Sequence, residues 1–334
     1  MNWLITGGCG FIGSSLIAVL IAEGRQRIRV VDDLSVGSVA TLEALSPVLE
    51  CSADDLGATP KAGCVEFVKG DIRDASLAEK LARGCDVIVH LAANAGVEQS
   101  VRDPRRDCDT NVFGTLNYLE AARRAGVGRF VMASSSAAVG EVEPPIHEQM
   151  AVHPVSPYGA SKLAGEAYCA AYHGAYGIDT VALRFGNVYG PGSSHKGSVV
   201  AKFIRRAMQG ETLEVYGDGS QSRDFVFVGD LVRAVMAGAH AQDVGGEVFQ
   251  IATSRELSVK ELMDVLLPIL ERNGIGPVDV RHEERRAGDV MRSYADTRKA
   301  EERLGWVAET DIVSGLERTV AWFQQCLGSP GAQA

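Results

Sequence analysis

The sequence lacks the features that mark membrane, secreted and metal-binding proteins. No uninterrupted apolar stretch reaches about eighteen residues, the length that a membrane-spanning helix needs. No basic segment with an apolar stretch and a small-residue cleavage site opens the chain. The seven cysteines form no Cys-x-x-Cys pair and have no metal-ligand spacing. We therefore expect an unprocessed cytoplasmic protein with reduced thiols, no metal site and no membrane partner.

An excess of basic residues is also missing. The formal net charge of −10 argues against a surface for nucleic acid or anionic membranes, so we expect no nucleic-acid partner. Hydrophobic residues make up 46% and charged residues 23% of the chain, which excludes disordered and fibrous classes. The 334 residues suffice for one large α/β domain or for two domains that share an interface.

Short β-branched segments alternate with longer helical patterns in the first half of the chain. We predict strands at Asn2–Thr6, Arg27–Val31, Val65–Val68, Asp86–Leu91, Arg129–Ala133 and Asp179–Leu183. We predict helices at Ile12–Ala22, Ser76–Ala82, Pro104–Ala125 and Pro157–Tyr176. This alternation indicates an α/β fold with a doubly wound parallel (Rossmann) sheet. Residues 44–63, with their Ser, Gly, Pro and Asp, are predicted to form a loop insertion.

The pattern is less regular after residue 184 and predicts a second, smaller α/β lobe. A helix near Val199–Gln209 precedes a short strand at Leu213–Tyr216. Later helices are predicted at Val228–Ala239, Ser258–Asn273 and Ile312–Gln325.

Gly7, Gly10 and Gly13 follow the first predicted strand and open the first predicted helix. Glycines at this spacing allow a tight turn, so that a pyrophosphate can lie on the positive end of the helix. Asp32 ends the second strand, where its carboxylate can bind ribose hydroxyls and repel a 2′-phosphate. The pattern predicts a site for NAD in preference to NADP; a glycine turn with a surface aspartate is the alternative.

Two further segments fall at the carboxyl ends of predicted strands. Asp71, in Gly70-Asp71-Ile72, can meet the adenine amino group, and Ala92 and Ala93 are small enough for a dinucleotide to lie close. His90 is predicted to be a packed residue near the sheet.

Tyr158 and Lys162 stand four residues apart in a segment where Pro157 suits a first helical turn. Residues at this spacing share one face of a helix, so the ammonium lies beside the phenol and favours the phenolate. Tyr158 is therefore a candidate proton acceptor. The alternative is a Tyr and a Lys on a solvated helix face.

Motifs follow one another in a fixed order through nearly the whole chain. They are the glycine turn at 7–13, Asp32, Gly70-Asp71-Ile72, His90-Leu91-Ala92-Ala93, Asn111 before Gly114-Thr115, Ser134-Ser135-Ser136, Tyr158 to Lys162, Arg184 to Pro191, Gly217 to Phe225, Arg286 to Asp289, and Tyr294-Ala295-Asp296 before Leu304-Gly305-Trp306. In this order the chain resembles the extended short-chain dehydrogenase/reductase family, and within it the nucleotide-sugar epimerases and dehydratases.

The resemblance implies roles for individual residues. Tyr158 is the acid/base, Lys162 lowers its pKa and holds the nicotinamide ribose, and Ser136 shares the proton of the sugar hydroxyl. Contacts to NAD are implied for Gly7, Gly10, Phe11, Ile12, Gly13, Asp32, Asp71, Ile72, Leu91, Ala92, Ala93, Asn111, Tyr158 and Lys162. Contacts to a nucleotide-sugar substrate, most simply a UDP-sugar, are implied for Ser136, Asn187, Val200, Arg223, Arg286, Asp289 and Ser293.

The residues after the implied catalytic hydroxyl favour one reaction. In the family, 4,6-dehydratases carry an Asp-Glu pair there and UDP-glucuronate decarboxylases keep a Glu, whereas this chain has Ala137 and Ala138. Because neither alanine can move a proton, we predict a 4-epimerase that works through a transient 4-keto sugar. A dehydratase or decarboxylase on the same scaffold is the alternative, and a non-catalytic NAD-binding regulator is the alternative from another class.

Two positions leave the substrate and the loop geometry open. Ser293 corresponds to a gate residue in UDP-sugar epimerases, and its small side chain admits an N-acetylated or a uronic sugar. Arg292, Lys196 or His195 can meet a sugar carboxylate or be surface charges. The family usually has the sequence Val-Tyr-Gly here, and this chain has no Tyr between Val139 and Gly140. This predicts that the loop after Ser136 is one residue shorter. Glu141 or Glu143 is then a candidate for a substitute acid.

The resemblance also implies the organisation of the molecule. We assign residues 1–183 and 223–252 to the NAD-binding domain, and 184–222 and 253–328 to the nucleotide-sugar-binding lobe. The helices at 104–125 and 157–176 resemble a pair that forms a four-helix dimer interface, so we expect a homodimer.

Overall fold

The computed structural model describes residues 1–284 and 290–327. The strands are β1 (Asn2–Thr6), β2 (Arg27–Asp32), β3 (Val48–Glu50), β4 (Val65–Lys69), β5 (Val87–His90), β6 (Arg129–Ser135), β7 (Asp179–Phe185), β8 (Asn187–Tyr189), β9 (Leu213–Tyr216), β10 (Ser222–Arg223), β11 (Phe225–Phe227), β12 (Glu247–Ile251), β13 (Leu257–Ser258) and β14 (Val280–Glu283).

The helices follow most strands directly. They are α1 (Phe11–Ala22), α2 (Val39–Glu43), α3 (Ala75–Ala82), α4 (Val97–Arg102), α5 (Pro104–Cys108), α6 (Gly114–Ala125), α7 (Pro157–Tyr176), α8 (Val199–Met208), α9 (Val228–His240), α10 (Val259–Arg272), α11 (Arg298–Leu304) and α12 (Ile312–Leu327). A π-helical segment at Asp109–Phe113 joins α5 to α6, and a 3₁₀ turn at Ser136–Ala138 follows β6.

An eight-stranded sheet in the order β12-β7-β6-β5-β1-β2-β4-β3 forms the centre of the larger part of the molecule. Every neighbouring pair in it is parallel. Side chains alternate between the two faces: Trp3 and Ile5 of β1 belong to the core that α1 and α9 cover, whereas Leu4 belongs to the core formed with α3 and α6. Helices cover both faces, so the predicted doubly wound fold is confirmed.

Three of the differences from the sequence prediction concern the central sheet and the segment before α6. Val48–Glu50, inside the predicted loop insertion, pairs with β4 and forms the edge of the sheet. Strand β12, which no sequence signal indicated, pairs with β7 at the opposite edge. The single helix predicted over 104–125 contains a π-helical segment, and such segments are frequent at functional sites.

A smaller group of elements lies beyond the carboxyl ends of the central strands. It contains the two-stranded sheets β8-β11, β9-β14 and β10-β13, together with α8, α10 and α12. Backbone hydrogen bonds from Ile146 N to Tyr294 O (2.9 Å) and from Asp296 N to Ile146 O (2.8 Å) tie this group to the segment after β6. Among the described residues, no helix combines the length and apolarity needed to cross a membrane.

Candidate active site

The glycine turn lies where the strand order of the sheet reverses, between β1 and β5. Gly7 has a φ of +70°, and a Cβ there would lie 2.8 Å from the backbone nitrogen of Ala92. A Cβ at Gly13 would collide with the carbonyl oxygen of Gly7. Glycines at these positions let the turn pack closely, and the N-cap Gly10 leaves no side chain over the helix end that Phe11 and Ile12 begin. The cradle therefore fits a dinucleotide pyrophosphate at the helix N-terminus.

Asp32 is connected to this turn by hydrogen bonds. Its carboxylate accepts the backbone N–H groups of Cys9 (3.0 Å) and Leu34 (2.9 Å). Burial raises the pKa of Asp32, although both backbone bonds oppose the rise. The Cys9 thiol beside it is protonated, because burial and the charge of Asp32 raise its pKa to about 12. The carboxylate is held at the end of β2, where a ribose hydroxyl can reach it.

Thr6 shapes the opposite wall of the cradle, and sequence reasoning missed it. Its Oγ1 accepts the N–H groups of Leu91 and Ala92, both at 3.1 Å, and lies 3.0 Å from Nδ1 of His90. His90 is buried and neutral, since burial lowers its pKa to about 3. This confirms His90 as a packed residue. Thr6 is the last residue of β1. Its role depends on contacts with the loop after β5, which the local sequence around Thr6 does not indicate.

The remaining predicted cofactor residues follow the carboxyl ends of β4 and β5. Asp71 forms an ion pair with Arg73 (Nε to Oδ2, 2.9 Å), which lowers the pKa of Asp71. Ile72 is buried against Gly114, where a Cβ would lie 2.7 Å from its Cδ1. Ala93 follows Ala92 in the loop after β5.

Asn111 lies in the π-helical segment and holds the loop after β5. Its Nδ2, which carries two hydrogens, lies within hydrogen-bond distance of three acceptors: the Asn94 carbonyl (3.1 Å), Asp107 Oδ1 (3.0 Å) and Ser161 Oγ (3.1 Å). Its Oδ1 accepts the Asn94 N–H at 2.8 Å. The side chain thereby connects the loop that follows Ala93 to α7.

Helix α7 brings Tyr158 and Lys162 together as predicted. The helix begins at Pro157, and the hydroxyl of Ser156 accepts the Gly159 N–H at 3.1 Å. Lys162 Nζ lies 5.9 Å from the centre of the Tyr158 ring and donates to the Ala133 carbonyl at 2.9 Å. The pair is therefore at the end of β6 and not on a solvated helix face.

The pKa shifts of the pair differ from the expectation. Burial lowers the pKa of Lys162 to about 8, against the opposing charges of Asp107 and Glu166. Burial raises the pKa of Tyr158, the charge of Asp107 raises it further, and a hydrogen bond with Ser135 lowers it. The lysine ammonium, which is bound to the Ala133 carbonyl, does not offset the burial of the phenol.

The serine that lowers the pKa of Tyr158 is Ser135 and not the predicted Ser136. Strand β6 ends at Ser135, whose Oγ accepts the Ala137 N–H at 3.2 Å, while Ser136 begins the 3₁₀ turn. One step along a strand reverses the side-chain direction, so only one of two adjacent serines can face the phenol.

This one-residue difference also changes the interpretation of the loop. If Ser135 is the catalytic hydroxyl, the number of residues between it and Gly140 is the same as in the family. Val139 then stands at the position of the family's Tyr. The loop is not shortened. The two positions after the hydroxyl become Ser136 and Ala137, and neither is a carboxylic acid.

A buried ion pair that sequence reasoning missed lies behind the catalytic residues. Glu166, one turn after Lys162, accepts Arg184 Nε (2.8 Å) and Nη2 (2.7 Å) and also binds the Ser134 hydroxyl. Glu166 and Arg184 are each 4% exposed. The pair connects α7 to β6 and β7 directly beside Ser135.

A cavity of about 230 Å³ lies between β8, β9 and the start of α8. Three predicted substrate residues, Asn187, Val200 and Arg223, line it. The guanidinium of Arg223 donates to the carbonyls of Ser222 and Val290, both at 2.7 Å. Lining residues that the sequence did not indicate are Lys202, Glu214, Tyr216 and Gln221. An aromatic ring and several polar groups around one cavity suit a nucleotide base and its phosphates.

The other residues predicted to contact the substrate do not line this cavity or lie outside the described part of the chain. Ser293 lies beside the backbone bridge of Ala295 with Ile146, whereas Arg286 and Asp289 lie outside the described residues. Arg292 binds both oxygens of Glu256 (2.8 and 2.9 Å) and also Glu143 (3.0 Å). Its charge is therefore already satisfied, and Glu143 is engaged as its partner.

Comparison with known proteins agrees with this arrangement. Residues 3–252 match the model of the NAD dependent epimerase/dehydratase family. The chain belongs to this family. It is 39% identical over 331 residues to the UDP-glucose 4-epimerase of Mycolicibacterium smegmatis, which covers 97% of this chain and 99% of that protein.

Two solved structures of the family are similar to this chain over nearly its whole length. The UDP-glucose 4-epimerase of Thermotoga maritima, solved with UDP-glucose, has a TM-score of 0.86 and 36% identity, over 98% of this chain and all of that one. The dTDP-glucose 4,6-dehydratase of Streptomyces venezuelae, solved with NAD, has a TM-score of 0.85 and 34% identity, over 98% of both chains. NAD is the cofactor of this family member, and the glycine cradle fits it.

Proposed function

We propose that the protein catalyses the NAD-dependent 4-epimerisation of a UDP-hexose through a transient 4-keto sugar. The observation that carries this proposal is the composition of the site around Tyr158. Ser135 and Lys162 flank the phenol, and no carboxylic acid occupies the two positions after Ser135. These groups can take a proton from one sugar hydroxyl and return it, but they supply no further acid for eliminating water.

Tyr158 takes the proton of the sugar 4-hydroxyl, and Ser135 donates a hydrogen bond that stabilises the phenolate. NAD, when bound, supplies the hydride acceptor at C4 and a positive ring that favours the phenolate. Because burial raises the pKa of Tyr158, the phenol keeps its proton until such a charge is present. Lys162 contributes its ammonium below a pH of about 8 and binds the nicotinamide ribose.

The 4-keto sugar must rotate in the site, so that its other face meets the nicotinamide, while its nucleotide stays bound. Arg223 and the N–H groups at the start of α8 lie on the cavity that receives the nucleotide. We propose that Arg286, which lies outside the described residues, binds the phosphate oxygens together with Arg223, and that Asp289 contacts another part of the substrate. Asn187 and Val200 line the same cavity. Anchoring at the diphosphate leaves the sugar free to present either face of C4.

Ser293 supports a site that admits an N-acetylated as well as a plain hexose. Arg292 does not favour a uronic sugar, because two carboxylates already neutralise its charge. We therefore propose UDP-glucose/UDP-galactose or the corresponding N-acetylated pair as substrates, in preference to UDP-glucuronate.

The test is to incubate the purified protein separately with UDP-glucose, UDP-N-acetylglucosamine and UDP-glucuronate and to resolve the products by NMR. We expect a 4-epimer of unchanged mass from at least one of the first two. Loss of water or carbon dioxide would overturn the proposal in favour of a dehydratase or decarboxylase. The matched control is Tyr158→Phe, which should retain NAD and abolish turnover; unchanged turnover would exclude Tyr158 as the acid/base.

We further propose a cytoplasmic homodimer with the domain division given above. Seven free cysteine thiols support a reducing compartment. Exposed apolar side chains on neighbouring elements support the dimer: Val97 and Val101 on α4, Phe113 at the start of α6 and Tyr168 on α7. Pairing of β12 with β7 supports placing residues 223–252 in the NAD-binding domain.

A further inference from the structure

Lys196 lies where the cofactor cradle and the nucleotide cavity meet. It belongs to the loop Gly190–Gly197 between β8 and α8, which packs over the first turn of α1. Its Nζ is 5.1 Å from the centre of the Phe11 ring, and a Cβ on Gly192 would lie 3.2 Å from Cδ2 of Phe11. The next residue, Gly197, lines the nucleotide cavity.

The loop that carries Lys196 is held in place by its own hydrogen bonds. The Ser193 hydroxyl, which is buried, donates to the Gly190 carbonyl at 2.6 Å. The Lys196 N–H donates to the Ser193 carbonyl at 2.9 Å, and Arg205 of α8 donates to the Lys196 carbonyl at 3.4 Å. Lys196 is therefore positioned by a packed turn.

The ammonium of Lys196 has no counter-charge in the described part of the chain. Other partly buried lysines have one: Lys202 pairs with Glu214 at 3.2 Å, and Lys299 pairs with Glu247 at 3.0 Å. Burial lowers the pKa of Lys196, and no carboxylate opposes this effect. An unpaired, partly buried cation is costly to a folded protein unless an anion joins it.

Two helix N-termini increase the positive potential at this place. Phe11 is the first residue of α1, and Gly10, its N-cap, has no side chain to cap it. Ser198 is the N-cap of α8, and its hydroxyl is buried without a hydrogen-bond partner and caps nothing. Both helix ends carry a partial positive charge, so Lys196 adds a full charge where positive charge is already concentrated.

We propose that Lys196 binds a diphosphate oxygen at the junction of the two nucleotide sites. This inference rests on the proposed function and adds a phosphate-binding residue to it. Two diphosphates have the required chemistry: that of NAD at α1 and that of the sugar nucleotide at α8. A diphosphate would neutralise the ammonium and would also offer an acceptor to the Ser198 hydroxyl.

The experiment is calorimetric titration of Lys196→Met with UDP, UMP and NAD, beside wild type. Losing one charged hydrogen bond corresponds to about tenfold weaker binding. If the sugar-nucleotide diphosphate is the ligand, UDP affinity should fall by about tenfold and UMP affinity by much less, because UMP has no β-phosphate. If the cofactor is the ligand, NAD affinity should fall and UDP affinity should not.

Two further variants complete the design. Lys196→Arg should retain most of the affinity, and Lys80→Met, which removes an exposed lysine paired with Asp54, should bind like wild type. Affinities for UDP and NAD both within twofold of wild type in Lys196→Met would overturn the inference. Binding is measured without turnover, so a protein that binds UDP but does not epimerise contradicts only the proposed function.

Discussion

At the scale of single residues, the direction of one side chain decides which serine serves the reaction. Ser135 and Ser136 are adjacent, and of the two only Ser135 lowers the pKa of Tyr158. We expect Ser135→Ala to lower kcat by about 10²–10⁴-fold, the usual contribution of a proton-transfer partner. Ser136→Ala should change kcat by less than about threefold, because a residue outside the proton path contributes little. Equal losses in both variants, measured with UDP-glucose at unchanged Tm, would contradict the assignment.

The charge of Asp107 affects the pKa values of both catalytic side chains, Tyr158 and Lys162. One of its carboxylate oxygens accepts Asn111, and the other is buried without a partner among the described residues. Its negative charge raises the pKa of both Lys162 and Tyr158. The other groups that face this pair are Ser135, which lowers the pKa of the phenol, and Glu166, which raises that of the lysine.

Asp107→Asn should therefore move the whole pH profile of kcat towards lower pH. Without the carboxylate, Tyr158 loses its proton more easily, so the rising limb shifts to lower pH. Lys162 also loses its proton more easily than at the wild-type pKa of about 8, so the falling limb shifts in the same direction. The measurement is kcat against pH with NAD bound. Limbs that stay in place, or that move to higher pH, would show that Asp107 does not act electrostatically.

At the scale of secondary-structure elements, the Glu166–Arg184 pair holds three elements of the catalytic site in register. Removing one partner of a buried pair leaves an uncompensated charge, which costs about 3–5 kcal/mol. We expect Arg184→Met to lower the free energy of unfolding by that amount, measured by urea denaturation. The control is Arg124→Met, which breaks an exposed pair with Glu79 and should cost less than about 1 kcal/mol.

The double variant Glu166→Gln with Arg184→Met refines this prediction. Since it leaves no buried charge, it should recover part of the stability lost in the single variant. Additive losses in the double variant would mean that the two side chains stabilise the protein through separate contacts.

The elements whose bounds the sequence predicted are those with a regular pattern and clear end signals in the local sequence. Helix α7 and strands β1 and β9 have the predicted bounds, because apolar periodicity, Pro157 and the flanking glycines all indicate the same ends. Strand β3 has only three residues and lies in a segment rich in turn residues, so its pairing with β4 is a tertiary effect. Local pattern likewise cannot show the π-helical segment, whose Asn111 bonds to residues 17 and 50 positions away.

At the scale of the whole molecule, the site depends on where the sheet places its strand ends. The glycine turn, Asp32 and the Tyr158–Lys162 pair were predictable because each is a local motif with a known chemistry. Thr6 and Glu166 were not, and Lys196 was considered only for a sugar carboxylate, because the surroundings of all three come from neighbours distant in sequence: Leu91, Arg184 and Phe11. Packing between elements therefore determines the residues that orient the reacting groups.

The proposed homodimer is the property of the whole molecule that a surface substitution can test. Val101 is 63% and Phe113 54% exposed, on α4 and the π-helical segment, and both neighbour α7. Exposed apolar residues grouped on adjacent helices are typical of a surface that a second copy covers.

Val101→Glu combined with Phe113→Glu should convert a dimer into a monomer, measured by light scattering on a sizing column. Two carboxylates in an apolar interface cannot be paired and would have to be desolvated, which costs far more than the interface gains from those residues. Val36→Glu is the matched control, since Val36 is equally exposed but lies after β2, on a different part of the surface, and should leave the dimer intact. A monomeric wild type would refute the dimer outright, and a dimeric double variant would place the interface on another face.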